Sequence, residues 1–384
     1  MVYNRVMNFS EEALNKHKQL HGKIAVKLKD NLDSKEKLST YYTPGVAAVS
    51  SYVAEHPLEA RDYTWTNNSV AVVSDGSAVL GLGNIGPLGA LPVMEGKAML
   101  FKHFADIDAV PIVLNVHTAD EIVSAVKAIA PSFGGINLED IAAPLCFEVE
   151  DRLKESLDIP VMHDDQHGTA IVVLAGLINA CKVTKRKIQD CRIVIVGAGA
   201  AGTAIAKLLH HYAQPNILMV DSRGIISPDR SDLNAEKQQL LNFTNQKKMT
   251  GSLDEALKDT DVFIGVSQAN LLTKEMVQSM AKHSIIFAMA NPNPEILPTD
   301  AKDAGAAVVA TGRSDFPNQV NNALAFPGVF RGALNHRVTK ITDEHKVAAA
   351  EVIASLVPKP NAENIIPSVL EKKLVPGIAK IFAQ

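Results

Sequence analysis

Cysteine is scarce. The 384 residues contain three, Cys146, Cys181 and Cys191, and none has a partner at a disulfide or metal-binding spacing. That excludes a disulfide scaffold and a cysteine-ligated zinc site, and predicts buried, reduced thiols in a cytoplasmic setting. Basic runs are short. The longest is Lys185-Arg186-Lys187, and the formal net charge is −4. A nucleic-acid binder needs a basic face, so none is expected. No apolar run approaches the ~20 residues that span a bilayer. The first twenty residues, MVYNRVMNFSEEALNKHKQL, are polar and acidic, unlike a signal peptide. Internal repeats and low-complexity tracts are also missing.

What is present is a long chain, 47% apolar, with enough length for two domains. The first 60 residues read as helix, broken at Tyr42-Thr43-Pro44-Gly45. VAVVS and SAVL, joined by Asp75-Gly76, read as a tight hairpin. A helix is expected over 95–103. AVPIVLNV, GGINLED and IPVMHDD read as strands or strand ends, separated by the helices TADEIVSAVKAIA and LCFEVEDRLKESL. GTAIVVLAGLINACKV is helical. From Arg192 the strands RIVIVG, NILMVD, VFIGV, SIIFAMA and AAVVATG alternate with helices, which predicts a parallel, doubly wound sheet. The last 45 residues return to helix. The fold class is therefore α/β, with a second unit beside a Rossmann domain.

Two stretches carry Gly-x-Gly-x-x-Gly after an apolar strand: Gly81, Gly83 and Gly86, and Gly197, Gly199 and Gly202. Each has an acid about twenty residues on, Asp106 and Asp221 respectively. Context separates them. After Gly202 runs an unbroken helix, TAIAKLLHHY, whose first amides can face a pyrophosphate. After Gly86 comes Pro87, which has no amide to donate, and Pro92 breaks the turn that follows. The second loop is the expected dinucleotide site, and the first a turn that lets backbone approach something closely. Asp221 closes the next strand, where a carboxylate can accept both ribose hydroxyls, so NAD is the expected cofactor. Arg223 leaves NADP possible.

Two acidic pairs, Glu139-Asp140 and Asp164-Asp165, each follow a strand-like run. Carboxylates converging at strand ends repel unless a cation neutralises them, and hard oxygens suit Mg²⁺ or Mn²⁺. The alternative is an N-cap for a helix starting near Gly168 and a surface turn at 139–140. Lys97 lies on an otherwise apolar helix. It either snorkels to the surface or, if buried, is a candidate base with a lowered pKa.

Tyr42-Thr43-Pro44-Gly45-Val46, the block GLGNIGPLGALPVMEGK, Glu139-Asp140, HDDQHGTA, the second glycine fingerprint, Asn291-Pro292 and NNALAFPGVFRGA occur in that order over residues 41–333. Together they resemble the malic enzyme family in its short bacterial form. The resemblance implies oxidative decarboxylation of L-malate to pyruvate and CO₂ with NAD(P)⁺ and Mn²⁺ or Mg²⁺, and a homodimer. It implies metal ligands Glu139, Asp140 and Asp165, and a catalytic lysine and tyrosine at Lys97 and Tyr42. Asp164 supports the lysine. The resemblance further implies that Asn291 and Asn321, with the neighbouring Asn322 as the alternative, contact substrate or nicotinamide. It also implies a split architecture, with residues 1–163 and 322–384 forming the substrate and metal domain and 164–321 the NAD-binding Rossmann domain. The larger relatives carry a substrate arginine just before the first glycine loop, where this chain has Ser77-Ala78-Val79. The competing reading is an oxaloacetate decarboxylase, a lyase on the same scaffold without net redox.

Overall fold

The computed structural model describes residues 9–383 and contains two sheets. Strands β1 (Ser69–Ser74), β2 (Asp108–Val113), β3 (Gly135–Leu138) and β4 (Val161–His163) form the first, in the order β2-β1-β3-β4. All its pairings are parallel. Strands β5 (Arg192–Val196), β6 (Asn216–Asp221), β7 (Gly224–Ile225), β8 (Val262–Gly265), β9 (Ile285–Ala288) and β10 (Val308–Thr311) form the second, in the order β10-β9-β8-β5-β6-β7. Only β7, against β6, runs antiparallel. The β1 and β5 strands read as continuous apolar runs because both their faces are covered.

Each sheet has one place where strand order reverses. In the first it lies between β1 and β3, in the second between β5 and β8. The chain leaves the two neighbouring strands in opposite directions there and opens a crevice beyond their C-terminal ends, where ligands of open α/β sheets collect. Both glycine loops and the 139–140 acidic pair follow strands at these two places.

The helix Asp164–Thr184 joins the sheets. It is long and apolar enough to cross a membrane by length and composition, although polar residues at its start interrupt the apolar run, and 67% of its most apolar window is buried in the fold. It is apolar on every side because helices Ala200–Ala213 and Asp343–Ser355 flank it. Ile171, Val172, Leu174 and Leu177 are fully buried, each contributing about 1.5–3 kcal/mol. Near the other end of the chain, helix Phe326–Asn335 packs on Gly86–Ala105 and on Leu374–Lys380.

Two local expectations fail. Asp75-Gly76 is not a hairpin: β1 already pairs in parallel on both edges, with β2 and β3, and has no free edge for a returning strand. Gly76 instead turns the chain at φ +73°, where the carbonyl of Gly86 fills the space a side chain would need. Nor does Pro92 end a helix. The helix runs Gly86–Ala105, with Pro87 in its first turn and Pro92 inside. The hydrogen bond lost at Pro92 is offset by burial of Ala90, Met94, Ala98, Phe101 and Ala105 along one face.

Candidate active site

The buried lysine of this long helix is the centre of the site. Lys97 is 7% exposed and bridges two carboxylates, with Nζ 2.8 Å from Glu139 Oε1 and 2.5 Å from Asp164 Oδ2. It also lies 4.2 Å from the centroid of the Phe326 ring. Three distant segments therefore meet at one ammonium: the end of β3, the start of the Asp164 helix, and the C-terminal region. Burial alone would pull the lysine's pKa down, but Asp164 and Glu139 push it up, so Lys97 is held as the ammonium. That reverses the lowered pKa expected from burial, because the burial comes with counter-charges. Burial, Asp165 and Asp164 in turn push Glu139 well up, against the pull of Lys97.

Asp140 follows with a positive φ of 54°, and its backbone N–H donates to Asp165 Oδ2 at 2.8 Å. The Asp164 helix starts at Asp164 itself rather than near Gly168. A side chain on Gly168 would strike Asp164 Oδ1, and Asn322 lies on the same side. Asn321, its neighbour, is spent on a cap: its Oδ1 accepts from the N–H of Ala323. Among the described residues, no three histidine, cysteine or carboxylate side chains are already arranged around a metal position. The donors still suit a hard divalent cation. One ammonium stands against four carboxylates, Glu139, Asp140, Asp164 and Asp165, and Asp164 Oδ1 and Asn137 Oδ1 are buried without a hydrogen-bond partner among the described residues.

Tyr42 is not part of this cluster. It is 67% exposed, in the turn between helices Lys35–Tyr41 and Val46–Glu55. These helices pack on each other, the second also packs on its neighbours near residue 60, and neither buries any of its residues.

In the second sheet each glycine of the fingerprint has its own reason. Gly197 adopts φ +110°, and a side chain there would meet the carbonyl of Val266, beyond β8, at 2.7 Å. A side chain on Gly202 would strike the carbonyl of Gly197, which sets the close approach of helix and strand. Gly199 faces open space at the start of helix Ala200–Ala213. That is the cradle a pyrophosphate needs. Asp221 closes β6 as expected, but its carboxylate is occupied. Arg230 donates to both oxygens at 2.7 and 3.0 Å, Lys237 to Oδ2 at 2.6 Å, and the backbone N–H of Arg223 to Oδ1 at 2.9 Å.

The two glycine loops do different work, and the first one touches the second domain. A side chain on Gly81 would strike the carbonyl of Asn291. The turn after β1 is thus seated on the Asn291-Pro292 turn after β9. Ser77, where the larger relatives carry an arginine upstream, accepts from the N–H of Ala142 at 2.9 Å and donates to Asp75 at 2.6 Å. It ties the β1 and β3 loops together instead.

Three supporting residues carry no sequence signal. Asn137 donates to Glu139 Oε2 at 2.8 Å. Glu150 is 3% exposed and accepts from the backbone N–H of His163, from His167 and from Lys154, each at 2.8 Å. Glu295, fully buried, accepts from the N–H groups of Ser267 and Ala290, just beyond β8 and β9. A lone acid on a helix or in a loop looks like surface, and only the fold shows where it points.

A two-domain dinucleotide-binding α/β protein, with a lysine–carboxylate cluster at its first switch point, is the class these features define. Residues 21–154 match the family model "Malic enzyme, N-terminal domain" and residues 166–377 the model "Malic enzyme, NAD binding domain". The chain belongs to the malic enzyme family. It is 56% identical over 381 residues to the bifunctional malic/malolactic enzyme of Bacillus subtilis, covering 98% of this chain and 93% of that protein. It is 52% identical over 382 residues to the NAD-dependent malic enzyme of Geobacillus stearothermophilus, covering 99% and 79%. The crystal structure of an NAD-dependent malic enzyme from Thermotoga maritima superposes with a TM-score of 0.94 at 50% identity, covering 96% of this chain and 98% of that one. Further relatives are named NADP-dependent malic enzymes.

Proposed function

We propose that this chain oxidatively decarboxylates L-malate to pyruvate and CO₂ and reduces NAD(P)⁺. The observation that carries this reading is Lys97, buried at the first switch point between Glu139 and Asp164. Glu139, Asp140 and Asp165 would hold a divalent metal, Mn²⁺ or Mg²⁺. When bound, that metal supplies Lewis-acid polarisation of the C2 oxygen and of the enolate left as CO₂ departs. With Glu139 so engaged, Lys97 keeps Asp164 alone as its carboxylate partner and can exchange a proton at Nζ. Once Nζ has released its own ammonium proton to solvent, it would take the C2 hydroxyl proton, and the nicotinamide, which Asn291 would hold, would supply the acceptor for the C2 hydride. The hydroxyl proton lost at this step is balanced by the one Tyr42 returns to C3 of enolpyruvate. Asn322, whose Cβ lies beside Gly168, would contact the substrate, with Asn321 holding the turn.

The working protein is a homodimer. Its N-terminal helices bury none of their residues and expose Phe9, Leu14, Leu20, Tyr41 and Tyr52. Apolar side chains exposed on helices that bury none of their own residues call for a cover. A second copy supplies it and carries Tyr42 to the cleft that its own chain leaves without one. The substrate domain comprises residues 1–163 and 322–384, the Rossmann domain 164–321. Three free, buried cysteines fit a cytoplasmic setting.

The test is a paired assay. L-Malate and Mn²⁺ are mixed with the protein and either NAD⁺ or NADP⁺, and reduced cofactor and pyruvate are followed together. A companion reaction contains oxaloacetate and metal without nucleotide. Equal yields of reduced cofactor and pyruvate, abolished by a chelator, are expected. Pyruvate from oxaloacetate alone, with malate inert, would make the protein a lyase and overturn the reading.

A further inference from the structure

The acid that should select NAD is saturated. A carboxylate has about four lone-pair sites, and Asp221 fills four: Oδ1 accepts from Arg230 and from the N–H of Arg223, Oδ2 from Arg230 and Lys237. Nothing is left to accept the two ribose hydroxyls, the contact by which an acid at the end of this strand favours NAD. Its charge is also neutralised. Arg230 and Lys237 bring Asp221, which burial alone would raise, down to a pKa of about 2.

The surroundings are cationic on balance. Arg223 and Arg230 also pair with Asp232, at 3.2 and 2.6 Å. Arg223, Arg230 and Lys237 therefore stand against Asp221 and Asp232, leaving one positive charge in excess. The Arg230 guanidinium is spent on two carboxylates. The Lys237 ammonium has three N–H donors and gives Asp221 one of them. Arg223 is 69% exposed, with its ion pair to Asp232 at the surface.

We propose that Lys237, through its hold on Asp221, sets the dinucleotide preference, and that the adenosine ribose site admits a 2′-phosphate. Asp221 and a 2′-phosphate compete for the same cations. Removing the carboxylate's charge hands Arg230 and Lys237 to the phosphate. Removing Lys237 frees a lone pair on Oδ2 for a ribose hydroxyl and takes away the excess charge. The two substitutions push the preference in opposite directions, which a merely structural cluster would not do. This inference rests on the dinucleotide-binding reading of the Gly197–Gly202 loop.

Calorimetric binding of 2′,5′-ADP and of 5′-AMP tests it without turnover, on the full-length wild type, Asp221→Asn and Lys237→Met. In the wild type the two fragments should bind within about tenfold of each other. Asp221→Asn should raise the 2′,5′-ADP to 5′-AMP affinity ratio by about tenfold or more, and Lys237→Met should lower it by as much, an attraction that salt weakens. Circular dichroism checks that each variant is folded; Lys237→Gln, which also removes the charge, takes the place of Lys237→Met should that variant unfold, and Lys237→Arg, which keeps the charge, should hold the wild-type ratio. Ratios that stay put or move the same way in both variants overturn the inference and leave the dinucleotide reading standing. No binding of either fragment by the wild type overturns both.

Discussion

Gly81 lies directly against the backbone carbonyl of Asn291. The glycine turn that follows β1 therefore rests on the turn that follows β9, and the two crevices open onto one another. Substrate held at the first switch point then meets a nicotinamide held at the second. Any side chain at 81 must push the domains apart. We expect Gly81→Ala to lower kcat/KM for malate by about 10²-fold, the cost of a displacement near 1 Å, with NADH affinity kept. A titration of NADH fluorescence beside the kinetics separates the two. Full activity in the variant would show that the contact does not hold the domains in register.

Lys97→Met removes the proton acceptor. Turnover should fall on the order of 10²–10⁴-fold while dinucleotide binding survives. The same change leaves Glu139 and Asp164 buried without their cation. In chelator-treated protein it should therefore cost about 3–5 kcal/mol of stability, read from urea unfolding. Activity near wild type would remove Lys97 from the chemistry.

Glu150 holds the backbone of His163, immediately before Asp164 and Asp165. Glu150→Ala should lower kcat with little change in KM for the dinucleotide, and cost about 3–5 kcal/mol because Lys154 and His167 lose a buried partner. Glu150→Gln, which keeps an acceptor for the His163 N–H, should recover part of kcat. Equal losses in both variants would point to the charge rather than the hydrogen bond.

Acid sensitivity follows from Asp221. Its folded pKa of about 2 lies below the ordinary value near 3.9, so the unfolded chain binds the proton first. The stability it contributes is fully present above about pH 4 and is lost as the pH falls toward 2. Asp221→Asn should flatten that part of the stability–pH curve and leave the two proteins alike in the neutral region. Denaturant unfolding at stepped pH measures this directly. An unchanged acid limb would mean the Arg230 and Lys237 bonds give no folding energy.

Tyr42 is exposed on its own chain, whereas Lys97 is buried. Mixing unfolded Tyr42→Phe and Lys97→Met chains and refolding them together should restore about one quarter of wild-type activity, because half of randomly formed dimers then contain one intact site. Each variant alone should be inactive. A mixture as inactive as its components would place Tyr42 in the cleft of its own chain.

Much of the second sheet was legible because each strand there is a short apolar run bounded by a helix, and the period changes visibly between them. The fingerprint glycines were legible for the same reason: each answers a local demand, a positive φ at Gly197 or a close approach at Gly202. The first sheet was harder. Asp75-Gly76 is a strong local hairpin signal, and it lost to two parallel partners that come from residues 108 and 135 onward. Pro92 looks like a breaker in the sequence because a single missing N–H is visible there, while the packing that compensates it is not. Glu150 and Glu295 carry no signal, since nothing in their sequence neighbours says that they are buried.

The amino-acid order by itself determined the α/β class, the two glycine loops, the acidic pairs and the lysine, because these are matters of residue type and spacing along one chain. Which carboxylates meet Lys97, what Gly81 is small for, and whether Asp221 has an oxygen to spare were decided by the tertiary structure alone. Each depends on a partner tens or hundreds of residues away, or on a competing donor such as Lys237. A hydrogen bond or an ion pair has no signature in sequence until folding brings both ends together and excludes water from between them.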